Sequence, residues 1–248
     1  MIDLADLYVV TLARQMRDHD ILHVGASQLE VWQAAEVAKQ LWAPNLRVVA
    51  AGTYRLGSGR QTDTALMKSR TYARDVIAAR QATFTQSRVF DDLLRSRVVF
   101  AGALQVDMAG NANLIGFTRD GKPVRGPGSG GLPTLTSHSE RFFIALQRHT
   151  RHTLVGRVDR ISVLGDRRAR RELGLPDAAL QQVITPLASF QATEDGLDLL
   201  AYSPGMSAAG IQEQTGFPVR PAPGCGPRAP MTLAERNALA ATRQGQDA

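Results

Sequence analysis

Apolar residues recur at helical spacing near the start of the chain, at Leu4, Leu7, Val10, Leu12 and Met16, and predict an amphipathic first helix. The next apolar segment, "DILHVGAS", is too short for a helix and runs into glycine, so it reads as a buried strand ending in a turn. Helical period returns over Leu29 to Leu41, and "PNLRVVAAGTY" follows as a β-branched strand that Pro44 starts and Gly52 closes. Strand, helix, strand is the unit of a parallel sheet. Residues 64–84 predict more helix, and Arg97 to Gln105 another apolar strand.

The second half alternates more quickly. "VDMAGNANLIGF" has the composition of a tight hairpin, with Asp107 and Gly110 at the turn and Asn111 and Asn113 able to bond local backbone. A bare stretch follows, "VRGPGSGG" at Val124 to Gly131, ahead of hydroxyls and the apolar run "ERFFIAL". "HTLVGRVDRISVLG" reads as strand then loop. "LQQVITPLASFQAT" and "GLDLLAYSP" read as two strands joined through Glu194, Asp195 and Gly196, and "SAAGIQEQTGF" as a short helix after Pro204. From Pro218 the proline content predicts extended chain, closed by a weak terminal helix. The expected organisation is one α/β domain over 1–217, an open and mainly parallel sheet flanked by helices, with a proline-rich tail over 218–248.

Composition agrees: 248 residues, 44% hydrophobic and 21% charged, suffice for one large α/β domain or two small ones. No apolar run approaches the ~20 residues that cross a bilayer, and acids stand where a signal peptide needs basic residues, so a cytoplasmic protein is expected. The single cysteine, Cys225, has no partner for an internal disulfide and lies in irregular "RPAPGCGPRAP". A net charge of +6 favours anionic partners without choosing among them. The densest basic run, "GDRRARRELG" at Gly165 to Gly174, has no aromatics nearby for base stacking, which favours a solvated face or a subunit contact over nucleic acid.

Two constellations bear on chemistry. Glycines can offer clustered backbone N–H groups to an anion, because missing side chains let a ligand approach the main chain; a plain turn between sheet elements accounts for the same composition. "GPGSGG" is neither a Walker loop, lacking a closing Lys-Ser or Lys-Thr, nor a dinucleotide fingerprint. His138, His149 and His152 have no carboxylate or thiol at ligand spacing, so no metal is expected. In Ser137-His138-Ser139 adjacent side chains do not face one another, so the hydroxyls read as caps of a helix over "ERFFIAL" and not as a nucleophile with its base.

The order of these pieces resembles the β subunit of family I coenzyme A transferases, the group of glutaconate CoA-transferase, and the related ring-cleaving hydrolases of steroid breakdown. The features that carry the likeness are "HVGAS" at the end of the first strand, "GALQVDMAGNAN", "VRGPGSGG", "RHTLVGRVDRISVLG" and the closing "AYSPGMSAAGIQEQTGFPV", together spanning about Leu4 to Val219. The resemblance implies an α/β fold of the CoA-transferase type, paired with a CoA-transferase-like α subunit as a heterodimer or α2β2 assembly. It implies an acyl-CoA thioester as substrate, no permanently bound cofactor, and no nucleic-acid or membrane partner. By carry-over Gly128, Gly130 and Gly131 contact the thioester, with Gly130 supplying an N–H to its carbonyl oxygen, and His23 stands where some members place an oxyanion asparagine. The chain departs from the family where transferases carry a nucleophilic glutamate after the second strand. Ala50 occupies that position, Gly52 matches the glycine beyond it, and no acid occurs between Glu36 and Asp63. An alanine forms no acyl adduct, so the hydrolase or C–C-cleaving branch is expected. True CoA transfer is the alternative within the family. A non-catalytic ligand-binding module is the alternative outside it, since the same broad fold serves isomerases and effector sensors.

Overall fold

The structure, a computed structural model, describes residues 3–25, 28–50, 53–54, 97–119 and 121–244. The helix expected over 64–84 and the glycine at 52 lie outside them. The chain divides into two compact units, Val9–Val98 with Thr232–Ala248, and Met1–Tyr8 with Val99–Met231.

Helix α1 (Leu4–Ala13) opens the chain. The spacing predicts one apolar stripe, yet every residue from Leu7 to Ala13 is buried, including Tyr8 and Thr11. A helix apolar nearly all round is a core helix, and "LYVVTLA" leaves no polar face. In the smaller unit strand β1 (Ile21–Val24), helix α2 (Leu29–Leu41) and strand β2 (Arg47–Ala50) form the expected β-α-β unit. The two strands are parallel with His23 opposite Val49 and Val24 opposite Ala50. Strand β3 (Thr53–Tyr54) turns back antiparallel to β2. Helix α2 buries Val31, Ala34, Ala35 and Ala38, the i, i+3, i+4, i+7 positions of one face, with Val37 widening the stripe.

The larger unit begins with β4 (Val98–Ala101), followed by β5 (Gln105–Asp107) and β6 (Ala112–Asn113), an antiparallel hairpin as predicted. Next comes a second hairpin, β7 (Gly116–Arg119) with β8 (Lys122–Arg125), and then helix α3 (Leu132–His138) and strand β9 (Arg141–Ala145). The helix expected over "ERFFIAL" is therefore corrected: it lies earlier, and Phe142 to Ala145 form a fully buried strand, as suits a short continuous apolar run. Strand β10 (Leu154–Val155) pairs with β5, and helix α4 (Arg167–Glu172) precedes β11 (Leu180–Ile184), β12 (Ala188–Thr193) and β13 (Gly196–Tyr202). The region read as two strands is thus an antiparallel meander of three, because Pro186 breaks the first run. Helix α5 (Ala208–Gln214) is capped by Ser207, and β14 (Arg220–Pro227) makes the proline-rich stretch an extended edge strand parallel to β13. The strands of this unit's main sheet run β14-β13-β12-β11-β9-β4, with β9 and β11 parallel. Phe100 and Phe143 stack at 4.8 Å between centroids in its core. The chain ends in α6 (Leu233–Gln244), which packs on α2 in the smaller unit, where Gln40 Nε2 donates to Thr242 Oγ1 at 3.0 Å. The architecture is an α/β fold with a mixed sheet flanked by helices. Among the described residues no helix is long and apolar enough to cross a membrane.

Candidate functional site

The glycine loop of the larger unit is held at its base by a buried polar network. Asp107 accepts the N–H groups of Asn111 at 2.9 Å and Ala109 at 3.1 Å, and Asn111 Oδ1 in turn accepts from Gly165 and Asp166. Burial pushes the Asp107 carboxyl up, and the donors from Asn111, Val158 and Ala109 only partly offset it. Asn113 Nδ2 donates to Gln105 Oε1 at 2.7 Å and to Gly116 O at 2.9 Å, while its Oδ1 accepts from Ile115 and Gly116. The short polar side chains of "QVDMAGNAN" therefore satisfy backbone groups that the change of direction would leave unpaired.

The loop docks on this base residue by residue. Gly126 N–H donates to Ile115 O at 2.8 Å and Gly128 N–H to Leu114 O at 3.0 Å. A Cβ on Gly126 would collide with the Leu114 carbonyl, so this glycine is fixed by close approach. Gly128 at φ +89° and Gly130 at φ +53° are glycines of conformation: among the described residues a Cβ on either would meet nothing within 4 Å. Gly131 needs neither condition, with φ −84° and ψ −1°. Gly128, Gly130 and Gly131 are all exposed.

The three glycines differ in what their N–H groups are free to do. That of Gly128 is already bonded to Leu114, whereas among the described residues nothing accepts from Gly130 or Gly131. Ser129 O accepts from Leu132 at 3.1 Å and Gly131 O from Leu135 at 3.0 Å. Across the trans peptide the Gly130 N–H points opposite to Ser129 O, away from α3. Helix α3 is anchored at its far end by Arg170, fully buried, whose guanidinium donates to Thr136 O at 3.0 Å, Leu164 O at 2.9 Å and Pro176 O at 2.7 Å and lies over the Phe142 ring. Within the basic run only Arg170 departs from the expected solvated face; Arg168 and Arg171 are exposed. The neighbours of Arg170 are also engaged within the unit: Arg171 with Asp177 and Glu194, Arg167 with Ala192 O, and Arg168 with Glu172.

In the smaller unit the end of β1 carries the other predicted residue. His23 is buried, and burial pulls its imidazole down to about 4, so it is neutral at physiological pH. Among the described residues its Nδ1 has no hydrogen-bond partner. Gln28, which the sequence reading passes over because a glutamine before a helix looks like ordinary polar punctuation, is buried as well. Its Oε1 accepts the Gly25 N–H at 3.0 Å, while its Nε2 has no partner among the described residues. Ala50 ends β2 beside Val24, so the position of the expected glutamate is at the C-terminal end of a parallel strand, where open α/β sheets bind ligands.

The remaining candidates have structural roles. His149 is buried between Thr185 Oγ1 at 2.8 Å and Thr215 Oγ1 at 3.1 Å, and burial followed by the charge of Arg228 pulls it down to about 4. Nδ1 of His138 meets Thr134 O, Ser137 Oγ donates to Pro133 O, and His152 is exposed. Among the described residues no three of His, Cys, Asp and Glu are grouped to hold a metal ion. Burial pushes the Cys225 thiol up, away from a reactive thiolate.

The sequence matches no protein-family model and no curated protein. Solved structures do match over nearly the full length. The decarboxylase AibA/AibB is 24% identical at a TM-score of 0.75, covering 97% of this chain and 95% of that one. Glutaconate coenzyme A-transferase from Acidaminococcus fermentans is 22% identical at 0.73, covering 95% and 92%. IpdAB from Rhodococcus jostii RHA1 is 19% identical at 0.67, covering 95% and 92%. At such identities the likeness is one of architecture, and in that sense the chain carries the fold of the family I CoA-transferases.

Proposed function

We propose that the chain is the β-type subunit of a heteromeric CoA-transferase-like enzyme whose substrate is an acyl-CoA thioester, and that its reaction is hydrolysis or C–C cleavage and not CoA transfer. The observation that carries this reading is the pair of uncommitted backbone donors at Gly130 and Gly131, exposed on a loop with open space around its left-handed glycines. Preorganised donors of this kind stabilise an oxyanion developing on a thioester carbonyl, an effect of roughly 3 kcal/mol per donor where one has been removed from other enzymes. Gly128 belongs to the same loop but positions it through Leu114, so the acyl group meets Gly130 and Gly131 while Gly128 lies alongside.

Ala50 decides between chemistries. Transfer in this family needs a carboxylate nucleophile at the end of the second strand, and alanine has no atom that could form an acyl or CoA adduct. A fold neighbour named as a decarboxylase supports the view that this architecture accommodates reactions other than transfer. The essential acid then resides on an α-type partner, which fits the paired names AibA/AibB and IpdAB among the neighbours. The test is intact-mass spectrometry of this chain and any subunit that copurifies with it after incubation with acetoacetyl-CoA. The expected result is no CoA-sized increment on this chain. Such an increment, localised to one of its Asp or Glu residues, would restore the transferase reading.

A further inference from the structure

Two segments of the larger unit concentrate the positive charge of the chain. The hairpin β7–β8 carries Arg119, Lys122 and Arg125, the loop 157–161 carries Arg157 and Arg160, and all five are exposed. The acids of these segments are Asp159 and, outside the described residues, Asp120, so the segments hold +3 of the net charge of +6. Among the described residues none of the five cations forms an ion pair. Arg167, Arg168 and Arg171 of α4, by contrast, are each matched by a carboxylate.

The two segments are tied together. Asp159 Oδ2 accepts the Thr118 N–H at 2.9 Å, which holds the loop with Arg157 and Arg160 against β7. Within the hairpin Arg119 stands directly opposite Lys122. Like charges at opposed positions are destabilising, and a two-stranded ribbon is marginal by itself, so this pair is a local cost that a bound anion would offset. The Arg119 guanidinium is also set in place, 5.4 Å over the Phe117 ring. An oriented guanidinium beside a second cation suits phosphate, whose oxygens match its planar fork.

The ribbon is continuous with the glycine loop. Arg125 precedes Gly126, whose N–H bonds Ile115 O, and the Gly128 N–H bonds Leu114 O, so ribbon and loop share one base. From Gly126 back to Lys122 is a run of extended chain about 13 Å long. A coenzyme A thioester has this layout, with a reactive carbonyl at one end, an extended arm, and an adenosine bearing several phosphate groups at the other. Ile115 and Ile161, both exposed, lie one residue from either end of the bond between Leu114 N–H and Ser162 Oγ and add apolar surface for a base.

We infer that the β7–β8 ribbon and the loop at Asp159 bind the phosphates of coenzyme A, with Arg119 and Lys122 as the principal pair. The chain thereby selects CoA thioesters over pantetheine thioesters that lack the nucleotide. This rests on the reading of the chain as an acyl-CoA enzyme and adds to it what holds the far end of the substrate. All the residues involved belong to the larger unit.

The probe is adenosine 3′,5′-bisphosphate, the nucleotide end of CoA, titrated by calorimetry into the full chain with any subunit that copurifies. Arg119→Gln/Lys122→Gln should weaken its binding, and that of acetoacetyl-CoA, by about tenfold or more, as befits the loss of two charge-assisted contacts. Should that variant fold poorly, Arg157→Gln/Arg160→Gln provides the same reading. Arg168→Gln/Arg171→Gln removes the same charge from α4 and should change neither affinity by more than about twofold. Equal losses in the ribbon and α4 variants would reduce the effect to net charge and overturn the assignment. Undiminished affinity in both ribbon variants would overturn it too, as would loss of a copurifying subunit from them, which would make the ribbon a subunit contact. If the wild type binds acetoacetyl-CoA and the ribbon variants bind it equally well, the acyl-CoA reading stands and the phosphate site falls. If the bisphosphate binds through the ribbon but acetoacetyl-CoA does not bind, the site stands and that reading falls.

Discussion

Gly130 and Gly131 are neighbours in the chain but ask different things of a substituted side chain. At φ +53° Gly130 is in the left-handed region, where valine is strained by roughly 1–2 kcal/mol, so a Gly130→Val enzyme loses stability and approach to the main chain at once. Gly131, at φ −84°, accepts any residue, and among the described residues a Cβ there would meet only Leu135 Cδ1 at 3.8 Å, an ordinary contact. Gly131→Val therefore isolates the effect of bulk on the ligand. Its stability to urea should change by no more than about 1 kcal/mol, the scale of replacing glycine at a helix start, while turnover of acyl-CoA by the assembled enzyme falls at least tenfold. Turnover within twofold of wild type would make the loop a plain turn. The bareness of this stretch was legible in the sequence. What was not legible is that Gly126 answers a steric contact, Gly128 and Gly130 a dihedral angle, and Gly131 neither, because those reasons lie in what the loop docks against.

At the scale of elements, the parts read well are those whose signal is local. The first strand-helix-strand unit, the hairpin at Asp107 and the Ser207-capped helix all follow from period and turn chemistry within a few residues. The misread parts depend on distant partners. Helix α6 reads as weak from composition, yet Thr232 and Glu235 form a reciprocal capping box, and Glu235 also holds Arg14 through two bonds of 2.8 Å, 221 residues away in sequence. Arg170 sits in a run that composition assigns to solvent and is instead the buried post to which α3, the loop before α4 and the turn at Pro176 are tied. A lysine there presents one ammonium in place of a planar fork and cannot reach three diverging carbonyls. Arg170→Lys should cost about 3 kcal/mol by urea denaturation, the sum of lost charge-assisted bonds and newly unsatisfied carbonyls. A loss below about 1 kcal/mol would mean that water replaces the guanidinium without difficulty.

Over the whole molecule, the two buried histidines set a pH dependence that both compact units share, His23 lying in one and His149 in the other. Each is held near 4 against an ordinary value of 6.5, chiefly by burial, and for His149 the Arg228 guanidinium acts in the same direction. In both cases the unfolded chain binds the proton more readily than the native protein. Stability is therefore full above about pH 7.5 and declines as pH falls from 6.5 towards 4, where the native side chains also become protonated and the loss levels off. Each tenfold difference in proton affinity between the unfolded and native chains is worth roughly 1.4 kcal/mol, so each histidine removes about 2 kcal/mol by pH 5 and about 3 kcal/mol in full. Asp107 acts in the opposite sense, since burial pushes its carboxyl up and the native protein then binds that proton more readily than the unfolded chain. Urea unfolding at pH 7.5 and pH 5.0 should show a drop of several kcal/mol in the wild type. In His149→Gln, whose amide can bond Thr185 and Thr215 without taking up a proton, about half of that drop should disappear even if the variant is less stable at pH 7.5. An identical pH dependence in wild type and variant would show that His149 is protonated within the fold at little cost, and that the chain accommodates a second buried cation beside Arg228.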